Sequence, residues 1–259
     1  MKLYFAGIER GVFVKSKYAS QIYDALIQHG VQYGLTSYFY LKKDPSFLTR
    51  EVRIPHIFLD SGAFSAYNSG ASIKLEEYTE FVKAHQKSID VFANLDVIGD
   101  AEATLDNQKA MEKEGLEPMP AFHMGEDWQF LKDYMDNGYK YIGLGGLVGK
   151  RAYTFRSAFL RKCFEIIPKK VKVHGFGMTS PRLLDIFPWY SADSINWIMG
   201  EMRGRLYIYD RGTIRNLRYH KKPQPMTGQR MAADKWNIIQ WKKYADHLEL
   251  RKPWGTGGI

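Results

Sequence analysis

Apolar and polar positions follow two alternating periods along the first 196 residues. Short apolar runs, rich in β-branched and aromatic residues, occupy 3–8, 37–41, 56–60, 91–97, 119–124, 141–145, 171–177 and 191–195. Runs of this length suit parallel strands buried on both faces. Helical spacing lies between them. Ile22, Ala25 and Leu26 share one face, with Gly30 as a stop. Leu75, Tyr78, Phe81 and Val82 repeat at helical spacing, and Asp127 caps a segment presenting Phe130, Leu131 and Tyr134. Phe155, Phe159 and Cys163 recur every fourth residue. Ser180-Pro181 reads as an N-cap followed by a first-turn proline.

Eight strands alternating with helices predict an α/β chain folded as a compact (β/α)8 TIM barrel over residues 1–196. A doubly wound open sheet satisfies the same count. After Trp197 the pattern changes. Residues 203–222 are rich in Arg and Tyr, and Pro223 and Pro225 interrupt the chain. A helical stretch with Ile238, Trp241, Ala245 and Leu248 on one face follows. Residues 197–259 therefore form a C-terminal extension to the barrel.

Composition narrows the class. With 259 residues and 45% apolar content, the chain is an ordinary globule and needs no staples. Its one cysteine, Cys163, excludes an internal disulfide and a Cys-rich zinc cluster, and its spacing makes it a core residue. The apolar run at the N-terminus is broken by Glu9 and Arg10, too soon for a signal peptide, and no run is long enough to span a membrane. A cytoplasmic protein is expected. The net charge is +9, of which +8 lies in residues 197–259. A basic segment of this kind suits a polyanionic partner. Arg203, Arg205, Arg211, Arg215, Arg218, Lys221 and Lys222 interleave there with Tyr207, Tyr209 and Tyr219. Cations that neutralise phosphates beside rings that stack on displaced bases make a nucleic-acid docking segment. A solvated basic face is the plainer reading.

In a (β/α)8 barrel, chemistry collects at the C-terminal strand ends. Here they read Asp60-Ser61-Gly62-Ala63-Phe64, Asn94-Leu95-Asp96, His123-Met124-Gly125, Gly143-Leu144-Gly145-Gly146-Leu147, His174-Gly175-Phe176-Gly177 and Asp193-Ser194. One aspartate at a strand end is often a cap. Three beside glycine-rich bends favour a site.

These segments, in this order, resemble the tRNA-guanine transglycosylase superfamily over roughly residues 56–196. Asp60-Ser61-Gly62-Ala63-Phe64 is similar to its Asp-Ser-Gly-Gly-aromatic motif, and Leu144-Gly145-Gly146-Leu147 to its Gly-Gly-Leu motif. His174-Gly175-Phe176-Gly177, with Ser180-Pro181 after it, resembles its Met-Gly-Val-Gly-Thr-Pro segment. The resemblance implies a base-exchange glycosyltransferase. Asp193 would be the nucleophile on C1′, and Asp60 the general acid and base. Asp96 would accept hydrogen bonds from guanine N1–H and its 2-amino group. Gly145, Gly146 and Leu147 would meet the base through their backbone. Ser61, Phe64, His174 and Met124 would complete the pocket, with Phe64 stacking on the base, His174 in the place of a family Met and Met124 in that of a family Gln. No cofactor and no metal are implied.

The superfamily's tRNA enzymes carry a three-Cys, one-His zinc site after the barrel. Cys163 precedes Asp193 and does not supply it. The chain is thus most similar to the short, zinc-free, phage-type enzymes that act on DNA. That resemblance implies exchange of guanine in DNA for a free 7-deazaguanine, such as 7-cyano-7-deazaguanine, in a bacterial cell or phage-infected host. Accessory DNA-modification proteins are further expected partners. A queuine- or archaeosine-type enzyme acting on tRNA is the nearest alternative. Two others are a non-catalytic nucleic-acid-binding barrel, and a metal-dependent hydrolase using His123, His174 and Asp193. The last lacks the His-x-His expected on its first strand.

Overall fold

The computed structural model describes residues 1–9, 17–49, 53–148, 152–178, 180–218 and 228–251. Eight strands form one parallel sheet: β1 (Lys2–Ala6), β2 (Tyr33–Ser37), β3 (His56–Asp60), β4 (Val91–Phe92), β5 (Ala121–His123), β6 (Tyr141–Gly145), β7 (Lys172–Gly175) and β8 (Ser191–Ser194). Their order is β4-β3-β2-β1-β8-β7-β6-β5. The sheet is curled and TIM-like, but its ladder does not close. Its edges, β4 and β5, meet at a single bridge between Ala93 and Met119. Two backbone bonds flank that bridge, Asn94 N–H to Met119 O at 3.0 Å and Met119 N–H to Phe92 O at 2.8 Å.

The helices of the sheet's outer layer are α1 (Lys17–Gln28), α2 (Tyr38–Leu41), α3 (Ser46–Thr49), α4 (Ala63–Asn68), α5 (Leu75–His85), α6 (Ala101–Lys113), α7 (Trp128–Asp136), α8 (Tyr153–Ile166) and α9 (Pro181–Ile186). Strand side chains alternate between two cores, as the two-residue period requires. Leu3, Phe5, Ile57, Leu59, Ile142, Leu144, Val173 and Ala192 pack outward against the helices. Tyr4, Ala6, Leu35, Phe58, Ala93 and Met119 fill the inside of the curl. This parity fixes the site, because Asp60 lies two residues beyond the inward Phe58, and Asp193 and His174 alternate with the outward Ala192 and Val173.

Several helix signals act as the sequence predicts. The Asp127 side chain accepts from Gln129 N–H at 2.8 Å, and Cys163 is fully buried. Gly30 takes φ +68°, and Val31 N–H bonds back to Leu26 O, which stops α1. Two expectations are corrected. The second strand is 33–37, not 37–41. The aromatic run at Tyr38–Leu41 makes one helical turn that buries Tyr38 and Leu41, a spacing that serves a turn as well as a strand. Gly34 disguises the true strand, yet it belongs there, because a Cβ would lie 2.5 Å from Ile8 Cδ1. Phe155 is exposed rather than packed with Phe159 and Cys163. Ser180 does stand at the N-cap of α9 with Pro181 in the first turn, as expected, although its side chain makes no bond to the helix.

The C-terminal part holds α10 (Asn196–Met202), a hairpin of β9 (Arg205–Asp210) and β10 (Thr213–Arg218), and the long α11 (Gly228–Leu250). Its core is continuous with that of the sheet. Trp197 donates from Nε1 to Ala6 O at 2.9 Å, and Trp241, Tyr244 and Leu248 join the cluster that holds Ile8 and Ile22. Residues 211 and 212 both have positive φ, the geometry of a two-residue hairpin turn. Gly212 sits against His247, where a Cβ would lie 2.9 Å from the ring. One residue further along α11, Leu248 O accepts from the Met1 ammonium at 2.9 Å. The hairpin tip therefore lies toward the end where β1 begins. Trp241 is fully buried in this junction. Trp241→Ala is expected to lower unfolding stability by about 3–5 kcal/mol in urea titration. A loss below about 1 kcal/mol would show that the extension packs only loosely on the sheet.

Candidate functional site

Asp60 ends β3 and pairs in register with Ser37 of β2. The chain then turns sharply at Gly62, which has φ +79°. A Cβ there would lie 2.3 Å from Ser37 Oγ and 2.5 Å from Phe39 Cβ, so only glycine fits. Gly62 N–H donates to Asp60 Oδ2 at 3.1 Å. Burial pushes the Asp60 carboxyl up to about 7, helped by the neighbouring charges of Asp96, Asp193 and Glu9 and opposed by the Gly62 N–H. Such a group holds its proton near neutrality and releases it with a small change of surroundings.

Asp193 is the penultimate residue of β8, opposite Tyr4 of β1, and is buried. Its Oδ1 accepts from Gly177 N–H at 2.7 Å and lies 3.3 Å from His174 Nε2. Gly177 has φ +58°, and a Cβ would lie 2.4 Å from Val148 Cγ2. His174 Nδ1 is 2.8 Å from Ser191 Oγ, which is 2.5 Å from the Tyr141 hydroxyl. A consistent donor order runs from Tyr141 to Ser191, to His174 and to Asp193, each hydroxyl and ring N–H donating once. His174 is fully buried, packed by Phe58 at 4.7 Å and Phe176 at 4.8 Å. His174 therefore meets the expected base pocket only through Asp193 and the rings around it. Both ring nitrogens are occupied, and its contact is with the Asp193 carboxylate.

Asp96 follows β4. Its Oδ2 lies 3.3 Å from His123 Nε2, at the end of β5. Glu126 grips the other side of that histidine: Oε1 is 3.2 Å from Nδ1, and Oε2 accepts from His123 N–H at 2.8 Å. Burial pulls the His123 imidazole down, but Asp96 and Glu126 outweigh it and raise it to about 10. Gly145 lies directly beneath the ring, where a Cβ would be 2.2 Å from His123 Cδ2. Among the described residues, Asp96 Oδ1 is buried with no hydrogen-bond partner, and so is Asn94 Oδ1. An unpartnered buried acceptor costs about 1–3 kcal/mol until a donor reaches it.

Sequence reasoning assigns Met124 the role of the family's base-reading side chain. The structure instead brings His123 to Asp96, while Met124 packs half-buried against the outer core. Adjacent strand residues face opposite ways, so a shift of one residue in alignment exchanges the two. Glu126 is missed altogether by that reasoning. Its signal, a carboxylate three residues after a strand-end histidine, is ordinary in a loop. Of the remaining candidates, Ser61 is buried and its Oγ accepts from Ala63 N–H at 3.3 Å, at the start of α4. Phe64 is 59% exposed on α4. Gly146 has φ +71°, and a Cβ there would lie 2.9 Å from Met124 N. The Leu147 side chain is buried. His123 and His174 belong to different carboxylate groups, so the hydrolase's three ligands are not one cluster.

The basic candidates are spread out. Arg205 and Arg218 pair across the open end of the hairpin, close after the exposed Arg203. Arg211 and Arg215 lie toward its tip, away from the strand ends that carry Asp60 and Asp193. Arg215 is bound to Asp210 at 2.5 Å. Tyr207, expected to stack on bases, is buried against Trp241 with ring centroids 5.2 Å apart. Lys221, Lys222 and Tyr219 lie outside the described residues. No family model matches the chain, and no curated protein matches it significantly.

The Asp60 environment has a thermodynamic signature. An unfolded aspartate loses its proton near 4, whereas the folded one keeps it to about 7. Between those values the folded state binds more protons, so this group's contribution to stability falls as pH rises. Asp60→Asn is therefore expected to stabilise the protein by roughly 2–4 kcal/mol at pH 8 and by little at pH 4, in urea titrations at both. Equal effects at the two pH values would contradict the crowding of carboxylates around Asp60.

Proposed function

We propose that the protein is a base-exchange transglycosylase that replaces guanine in DNA with a 7-deazaguanine, on what is functionally a complete (β/α)8 barrel. The observation that carries this reading is the division of labour among three strand-end carboxylates. Asp193 is oriented through Oδ1, Asp60 is poised near 7, and Asp96 presents a buried oxygen without a partner. Carboxylates pushed toward different protonation behaviour are the usual mark of acid and nucleophile roles.

In the forward step, Asp193 Oδ2 attacks C1′ as the C1′–N9 bond breaks. Asp60 donates its proton to the departing guanine, leaving a glycosyl ester on Asp193. The incoming base then loses its N9 proton to Asp60, and N9 displaces the ester. Asp193 returns to a carboxylate and Asp60 is protonated again. Asp96 Oδ1 accepts from N1–H and the 2-amino group, a donor pair that selects guanine-like bases. His123 and Glu126 hold Asp96 for that contact. A guanine inside a duplex is out of reach and must be flipped out or presented single-stranded.

The choice of DNA over tRNA rests on the single cysteine, which is buried in α8 and unable to build the zinc site of the tRNA enzymes. Nucleoside mass spectrometry after co-expression with a 7-deazaguanine source is expected to find the modified base in DNA. Modified tRNA beside unmodified DNA would overturn the substrate. Asp193→Asn is expected to abolish exchange while leaving oligonucleotide affinity within about twofold; full exchange would remove Asp193 from the chemistry. With wild-type protein, single-turnover guanine release is expected to fall about tenfold per pH unit above pH 7, as Asp60 loses its proton. A flat profile to pH 9 would remove Asp60 as the acid.

A further inference from the structure

Beside Asp60 the surface changes character. The residues that follow β2 and β3 make a patch of rings and lysines on the same end of the sheet. Tyr40 is 36% exposed on α2, and Phe64 and Tyr67 are 59% and 64% exposed on α4. Ala63 and Ala66 are buried, which turns Phe64 and Tyr67 outward, three residues apart on one helix face. The two helices adjoin, because Gly62 at the head of α4 touches Phe39 of α2. Lys42 and Lys43 are exposed at the end of α2. The Lys42 ammonium lies 5.6 Å from the Phe39 ring centroid and 5.9 Å from that of Tyr38. The nearby acid, Asp44, is engaged with Ser46 N–H at 3.1 Å.

Single exposed rings are common on protein surfaces, but here three of them gather on adjoining helices beside a buried carboxylate site. Rings interleaved with lysines are the chemistry that holds single-stranded nucleic acid, through stacking on bases and neutralising of phosphates. The tip of the basic hairpin does not fill that place, since Arg211 and Arg215 lie toward the opposite end of the strands; Arg205 and Arg218 pair at its open end. We infer that the α2–α4 patch is where the strand flanking the target base docks, with Tyr40 and Tyr67 stacking on neighbouring bases and Lys42 and Lys43 meeting their phosphates. This rests on the reading of the site as one that acts on nucleic acid. It gives that site a single-stranded substrate path, and it gives the extension a longer-range role in drawing polyanions to the protein.

The test is fluorescence anisotropy with a labelled single-stranded DNA of about 12 nucleotides that lacks guanine, so that docking is read apart from the base pocket. Exchange on a guanine-containing strand is measured in parallel. The variants are Tyr40→Ala/Tyr67→Ala and Lys42→Gln/Lys43→Gln, all at exposed positions, with urea titration to verify folding. Arg211→Gln/Arg215→Gln is the comparison at the hairpin tip. The expected result is about tenfold weaker binding for each patch variant, a shallower salt dependence for the lysine variant, and less than threefold change at the tip. Exchange by the wild type with unchanged affinity of both patch variants would overturn the docking surface alone. Patch-dependent binding without any exchange would overturn the transglycosylase and keep the surface. Absence of both would remove the two together.

Discussion

Three acidic side chains, Glu9, Asp96 and Asp193, act on a fourth, Asp60, at one end of a curled sheet. Their repulsion of the buried Asp60 carboxyl is the constraint on which the surrounding structure depends. Like charges out of water cannot all be borne unless some are paired or protonated. The protein resolves this unevenly. Asp193 receives a backbone N–H and an imidazole, and Asp96 receives His123. Asp60 is left with one backbone donor and keeps a proton instead.

The glycines follow from that arrangement. Gly62 lets the chain turn back so that its N–H meets Asp60, and Gly177 does the same for Asp193. Gly145 clears room for the His123 ring. A side chain at any of the three would collide with a neighbour and displace a carboxylate or its partner. The inward parity of the strands supplies the rest, since it sends Asp60, His174 and Asp193 to the same interior. Below them, Tyr4, Phe58 and Phe176 pack a dry floor that keeps the charges costly and therefore reactive.

Much of this is legible in the sequence, for identifiable reasons. Strands β3 and β6 can be read to the residue, because their apolar runs end abruptly at Asp60 and Gly145. The strand-end carboxylates stand out because charge rarely follows a fully apolar run without cause. The second strand is misplaced because Gly34 and Thr36 dilute its pattern while four apolar and aromatic residues follow. The open ladder at β4–β5 has no sequence signal, since the bridge at Ala93 and Met119 is a backbone matter. His123 is legible only as a strand-end residue and a ligand in the hydrolase alternative, because its two carboxylate partners lie in separate segments. The hairpin carries a different lesson. Counting charge locates the basic segment, but only the packing of Gly212 on His247 shows which way its tip points.

The molecule thus has two chemically distinct ends: a crowded acidic mouth edged with exposed rings, and a basic hairpin whose tip faces the other way. The central claim is that Asp193 carries the nucleotide during exchange. The most direct measurement is the intact mass of the protein after denaturing quench with a guanine-containing oligonucleotide and no incoming base. The expected result is an adduct equal to protein plus oligonucleotide less guanine, attached at Asp193 and absent in Asp193→Asn. An adduct that retains guanine, or full exchange without any adduct in the wild type, would contradict it.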